Sequence, residues 1–228
     1  HKAKPKQSLS LWKNFKKRVP KNPGSNLNMI LADYLKISKK THLIFDFDET
    51  ILKLILPWEN AVEGIRDKLI RLNEKIYKDY KKEKISLSSL QNQYILNFGE
   101  KILGDLIKNE LKFEKKYLKG TILNQELIDF IKKSSGYKML IWSSNTKPTI
   151  KSLLIQHRIF DKFKKIVTRE DVKLLKPEID GFSLLYDIKV PKGKYLFIGD
   201  SKFDRMAAEK AGIDFYSVDF FHVERKYW

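Results

Sequence analysis

Asp46 and Asp48 close an apolar run, HLIFDFD at 42–48, and open the stretch Asp46-Phe47-Asp48-Glu49-Thr50. Side chains alternate along a strand, so the two carboxylates point the same way. Side by side they repel, which raises one pKa, and a bound divalent cation relieves that cost. A second apolar run, KYLFIGD at 194–200, leads into Gly199-Asp200-Ser201-Lys202-Phe203-Asp204 and supplies two further acids. Four carboxylates gathered from two strand ends call for a hard, oxygen-seeking cation. Mg2+ fits best, because it keeps waters and uses few protein oxygens. A third run, YKMLIWSS at 137–144, ends in Ser143-Ser144-Asn145, whose hydroxyls and N–H groups at a helix start form an anion site. Leu175-Lys176-Pro177 adds a lysine whose charge neutralises phosphate. A metal, a carboxylate nucleophile, a hydroxyl and a lysine together describe phosphoryl transfer.

These residues need elements to carry them, and the pattern of the chain supplies a parallel sheet. After a short helical pattern at 27–35 comes the strand at 42–48, apolar on both faces as a buried parallel strand must be. From 137 onward strands and helices alternate. Strands are expected at 137–144, 163–168, 194–200 and 214–219, and helices at 148–157, 181–187 and 202–211, the first with Pro148 in its opening turn and the last stopped by Gly212. A helix at 124–134 precedes them. The expected fold is α/β, a Rossmann-like core with a parallel sheet and helices on both faces, whose active crevice lies at the carboxyl ends of the strands. Between the first two strands Val62, Ile65, Leu69, Leu72, Ile76 and Tyr80 recur at helical spacing. A second helical pattern runs from Leu90 to about 118, weakened at Gly99 and Gly104, and no strand signal interrupts it. The reading divides the chain into a basic arm with short helices at 1–40, an α/β core at 41–53 and 121–228, and a small helical cap at 54–120.

The four segments LIFDFDETI, MLIWSSN, LLKP and FIGDSKFD resemble, in order and spacing, the four motifs of the haloacid dehalogenase (HAD) superfamily, over residues 42–219. The resemblance implies a phosphatase with a helical cap. It makes Asp46 the nucleophile that forms an aspartyl-phosphate, and Asp48 the acid that protonates the leaving oxygen and then activates water. It implies Mg2+ held by a carboxylate oxygen of Asp46, the backbone carbonyl of Asp48 and the carboxylate of Asp200, with Asp204 binding the metal or orienting the site. Ser144 would bind the transferring phosphoryl oxygens beside Asn145, with Ser143 the alternative. Lys176 would neutralise nucleophile and phosphate, with Lys173 close enough in sequence to compete. Thr50 supports the loop that carries Asp48. Dehalogenases of this superfamily lack an acid two residues after the nucleophile, so Asp48 favours a phosphatase, with a phosphomutase as the rarer enzyme alternative. A cap at this point closes over a small substrate and excludes water. A cap this short can also leave the site open to a phosphorylated protein, and Asp-x-Asp-Glu-Thr resembles the first motif of the superfamily's protein phosphatases, so a phosphometabolite and a phosphoprotein, phosphotyrosine included, are both candidate substrates. Trp58, in Pro57-Trp58-Glu59 at the cap's entry, is a candidate substrate contact or a hinge residue.

Composition limits the remaining possibilities. Of 228 residues 42% are apolar and 12% aromatic, enough for a real core and too many for a disordered chain. There is no cysteine, which removes thiolate metal sites, disulfides and cysteine nucleophiles. No run reaches the eighteen apolar residues of a membrane span, so a cytoplasmic, soluble domain is expected. The net charge of +18 is uneven: residues 1–40 hold eleven Lys or Arg and one acid, a net +10. Such an arm suits an anionic membrane surface, a phosphorylated partner or, as a catalytically idle adaptor, an anionic ligand. Specific nucleic-acid recognition is not expected, because only seven of the 46 basic residues are Arg, the side chain that reads base edges.

Overall fold

A computed structural model describes residues 27–219 and Phe221. The first segment expected to be helical, around 9–19, lies outside the described residues, as does most of the basic arm. The described chain begins with helix α1 (Leu27–Ser38), followed by β1 (His42–Phe45), whose four residues are all buried. Five strands form one parallel sheet, in the order β5 (Phe163–Val167), β4 (Lys138–Trp142), β1, β6 (Tyr195–Gly199) and β7 (Asp214–Ser217). This is the expected Rossmann-like α/β core. β1 is central, paired with β4 on one side and β6 on the other, and Phe45 is level with Ile141 and Ile198. That register brings the residues just after β1, β4 and β6 to one edge of the sheet, at the point where the chain switches sides.

Helices cover both faces because successive strand residues alternate between them. Leu43 and Phe45 pack with Leu31 and Leu35 of α1, with Leu127, Ile128 and Ile131 of α5 (Gln125–Lys133), and with Ile150, Leu153 and Leu154 of α6 (Lys147–Gln156). Ile44 faces the other way, into a cluster with Phe182 and Leu185 of α7 (Asp180–Leu185) and Ala207, Ala208 and Ala211 of α8 (Lys202–Ala211). On this second face α7 lies so close to β4 that a Cβ on Gly181 would stand 2.0 Å from Trp142 Nε1. Trp142 cannot yield easily, being 2% exposed and stacked on Phe197 at 5.0 Å between centroids. Gly181→Ala is therefore expected to destabilise the protein by about 1–3 kcal/mol through overpacking. A urea midpoint equal to that of the wild type would show that the helix can retreat without cost.

Between β1 and β4 the chain forms a short antiparallel pair, β2 (Leu52–Leu54) with β3 (Thr121–Leu123), and between those strands three helices, α2 (Arg66–Lys81), α3 (Leu87–Phe98) and α4 (Glu100–Tyr117). The two three-residue strands are too short to show in the sequence pattern. The helical pattern that opens at Val62 is not α-helical at its start: two single 3₁₀ turns, Trp58–Asn60 and Glu63–Ile65, precede α2. The pattern from 90 to 118 is two helices, broken where Gly99 takes φ 65°. Helix α2 kinks at Asn73, and the Tyr94 hydroxyl lies 2.7 Å from the Leu69 carbonyl and 2.6 Å from that of Asn73, satisfying backbone that the kink frees.

Candidate active site

The loop after β1 is held tightly. The Phe47 carbonyl accepts from the N–H groups of Ile51 and Leu52, and Glu49 adopts φ 59°. Phe47 is fully buried, so alternation turns Asp46 and Asp48 to the opposite side, where both line a cavity of about 220 Å³. The Asp46 N–H bonds to the Ile198 carbonyl at 2.9 Å, which continues the β1–β6 ladder one residue and fixes the nucleophile candidate at the sheet edge.

Lys176 is the hub. Its ammonium lies 2.5 Å from Asp46 Oδ1 and 2.6 Å from Asp204 Oδ1, and it is 5% exposed. Burial alone would lower its pKa, but Asp204 and Asp46 outweigh that and hold it above the ordinary lysine range. Lys173, the alternative that its proximity in sequence suggests, is exposed and does not line the cavity, whereas Lys176 does. Thr50, fully buried, sets its hydroxyl 3.3 Å from Asp46 Oδ2 and 3.2 Å from Asp200 Oδ1. It orients two acids of the cluster directly, beyond the loop support expected of it.

Asp204 occupies the third position of α8 and closes a capping box with Ser201: its Oδ2 accepts from the Ser201 N–H at 3.0 Å and from its hydroxyl. The turn works only with glycine at the end of β6, because a Cβ on Gly199 would lie 2.8 Å from the Asp204 side chain. Carboxylate oxygens of Asp46, Asp200 and Asp204 fall within 4.8 Å of one another, the one such group among the described residues. Burial raises Asp46 to about 7, with Asp204 and Asp200 adding to it against the pull of Lys176. Asp200 rises to about 7 for like reasons: burial first, then Asp204 and Glu49. The cluster thus holds more negative charge than Lys176 offsets, an excess that protons or a cation would balance. An all-oxygen donor set of this kind fits Mg2+. The Asp48 carboxylate is not in this group. It accepts from the Leu54 N–H at 2.7 Å, which ties it to β2, and burial pushes its pKa well above the ordinary value despite that bond.

After β4 the expected trio divides. Ser143 is buried, its hydroxyl turned to Asn145, whose N–H donates to it at 3.1 Å. Ser144 and Asn145 line the cavity, so Ser144, rather than its neighbour, faces the cluster. Trp58 also lines it, half-buried, with its ring 5.7 Å from that of Phe113. All residues singled out in the sequence for this site therefore meet at one place, except Ser143 and Lys173.

The opposite wall comes from the helical insertion, and sequence reading missed it. Leu87, Ser88 and Gln91 of α3 and Glu110 of α4 line the cavity. Glu110 accepts from Gln91 Nε2 at 2.9 Å and stands 3.8 Å from Nε of Arg169, a fully buried guanidinium at the end of β5. The available signal was Glu110 and Glu114 on the face of α4 that also buries Ile102, Leu106 and Phe113. Burial raises Glu110 to about 7 against the attraction of Arg169. The unfolded chain releases this proton near 4.5, so the folded state holds a proton that the unfolded state has lost, and stability drains away as pH rises from about 4.5 to about 7. Replacing the pair with leucines (Glu110→Leu, Arg169→Leu) should shift relative stability in the variant's favour by up to about 3 kcal/mol across that window, levelling off above it. Urea unfolding at a series of pH values measures this; a gap independent of pH would contradict it.

The haloacid dehalogenase-like hydrolase family model matches residues 43–218. The chain belongs to that family. No curated protein matches the hydrolase at a significant level. Among solved structures it is similar to a protein described as a haloacid dehalogenase-like hydrolase from Bacteroides fragilis, 24% identical over 78% of this chain and 87% of that one, with a TM-score of 0.53. A HAD phosphatase from Thermococcus onnurineus is 24% identical over 78% and 86%, at TM-score 0.46. The L-2-haloacid dehalogenase of Xanthobacter autotrophicus is 13% identical over 78% and 77%, at 0.45. The first of these likenesses shows the fold of the hydrolase. Among its described residues no helix is long and apolar enough to cross a membrane.

Proposed function

We propose that this hydrolase is a magnesium-dependent phosphatase that cleaves small phosphomonoesters through an aspartyl-phosphate on Asp46. The observation that carries the reading is the convergence of Asp46, Asp48, Lys176 and Ser144 on one cavity beside the acidic trio. Asp46 attacks phosphorus, the bond to the leaving oxygen breaks, and Asp48 gives that oxygen its proton. Asp48 then takes a proton from the water that attacks the phosphoaspartate, releasing phosphate and restoring Asp46. A carboxyl that burial raises well above its ordinary pKa suits the first of these tasks, because its acid form persists to higher pH than an exposed carboxyl's would. Lys176 and Ser144 contact the phosphoryl oxygens in this scheme. Mg2+ held by Asp46 and Asp200, with the Asp48 carbonyl, would offset the charge of nucleophile and phosphate.

Asp48 favours a phosphatase over a dehalogenase, which has no leaving oxygen to protonate. A cavity of about 220 Å³ walled by Leu87, Ser88, Gln91 and Glu110 favours a small ester over a phosphoprotein, with the insertion serving as a cap. The test is hydrolysis of 4-nitrophenyl phosphate and a panel of small phosphomonoesters with Mg2+, set against phosphotyrosine and phosphoserine peptides. Turnover is expected with Mg2+, to be lost in excess EDTA, and to favour the small esters. A panel in which no phosphoester turns over would dispose of the proposal.

A further inference from the structure

The insertion reaches past the cavity and grips the two loops that border it. Asn92 of α3, 7% exposed, pairs with the backbone of Leu175 in both directions: Leu175 N–H donates to Asn92 Oδ1 at 2.8 Å, and Asn92 Nδ2 donates to the Leu175 carbonyl at 2.8 Å. A carboxamide is the side chain that can donate and accept at once in this way, and the backbone partners leave no freedom in which end is which. The next residue is Lys176.

Glu114 of α4, 1% exposed, does the same for the other loop. Its Oε1 accepts from Asn145 Nδ2 at 3.2 Å and from the Thr146 N–H at 3.3 Å, and its Oε2 accepts from the Thr146 hydroxyl. Thr146 occupies the N-cap position of α6, so the carboxylate sits at the N-terminus of that helix, where its charge is favoured. The neighbouring Ser144 and Asn145 line the cavity. Neither Asn92 nor Glu114 lines it. Two buried polar side chains, from two helices of the insertion, therefore bind the backbone or side chains of two separate loops at the residues adjoining the groups that face the acidic cluster.

We infer that Asn92 is a positioning residue, through which the seated insertion sets the place of Lys176 relative to Asp46. This rests on the phosphatase reading and adds to it that the insertion acts on a phosphate-contacting loop as well as covering it. A displacement of about 1 Å in such groups can cost 100-fold in rate. Asn92→Ala releases both hydrogen bonds to Leu175, and Asn92→Asp keeps the acceptor while removing the donor.

The experiment compares kcat/KM of wild type, Asn92→Ala, Asn92→Asp and Tyr94→Phe with Mg2+ on an aryl and an alkyl phosphate, together with inhibition by inorganic phosphate. Tyr94→Phe is the control, since it loses buried hydrogen bonds within the insertion, to Leu69 and Asn73, without touching either loop. Asn92→Ala should lower kcat/KM about 10- to 100-fold, by the same factor on both esters, and weaken phosphate inhibition, with Asn92→Asp between it and the wild type. Tyr94→Phe should stay within threefold of wild type. Backbone hydrogen exchange over 173–178 should quicken in Asn92→Ala and not in Tyr94→Phe, a readout that needs no turnover. Equal losses in Asn92→Ala and Tyr94→Phe, or an Asn92→Ala enzyme within threefold of wild type, would overturn the inference while leaving the phosphatase reading intact. A wild type that turns over neither ester would instead remove the phosphatase reading, and the exchange data would still decide the clamp.

Discussion

Asp46→Asn should abolish hydrolysis of 4-nitrophenyl phosphate, by at least about 10⁴-fold in kcat, and leave the protein folded. An amide oxygen cannot displace an alkoxide from phosphorus, so no phosphoenzyme forms. The fold survives because the substitution removes charge from a crowded place. Burial, Asp204 and Asp200 already push Asp46 towards its neutral form, at about 7, and an asparagine oxygen can still accept from Lys176 or Thr50. Without metal the variant is expected to be at least as stable as the wild type. Three measurements decide it: release of 4-nitrophenol, mass spectrometry of the peptide bearing residue 46 after acid quench, and the thermal midpoint. Residual turnover above about 1% of wild type in a folded Asp46→Asn protein would mean that some other group attacks phosphorus.

Lys176→Met should cost both stability and activity. Asp46 and Asp204 share this one ammonium, all three side chains being buried, and removing it leaves two buried carboxylates facing each other. Breaking a buried charge cluster in this way costs about 3–5 kcal/mol. The loss is expected to be largest in EDTA and to shrink in Mg2+, because the ion brings positive charge to the same acids. Turnover should fall about 10²- to 10³-fold even with Mg2+ saturating, since a donor to the phosphoryl oxygens is gone. Urea unfolding in EDTA and in Mg2+, beside kcat on the aryl phosphate, separates the two effects. An unfolding free energy in EDTA equal to that of wild type would show that Lys176 does not hold the cluster together.

These expectations draw on features of different legibility. The central strands could be read because a parallel strand buried on both faces must be apolar throughout, as Leu43–Phe45 and Leu196–Ile198 are, whereas their order across the sheet could not. Asp46 and Asp200 could be read because strand ends in such a sheet converge, so acids placed just beyond them must meet, and Lys176 through the resemblance of LLKP to a family motif. The preference for Ser144 over Ser143 rests on the resemblance alone, since one residue of strand length decides which of two adjacent serines faces the cavity, and β4 ends at Trp142. The β2–β3 pair could not be read, since its strands of three residues each give too little alternation to detect.

By itself the sequence determined the parallel α/β core and the edge at which Asp46 and Asp200 gather, because these follow from local periodicity and from residues close along the chain. Tertiary structure alone decided how α2, α3 and α4 fold back over that edge. The partners involved are remote in sequence: Asn92 meets Leu175, Glu114 meets Thr146, and Glu110 meets Arg169. A carboxylate or carboxamide on the apolar face of a helix reads as a flaw in the pattern until its buried partner is known. Only packing supplies that partner, since the cost of burying the polar group is met by a hydrogen bond to another segment.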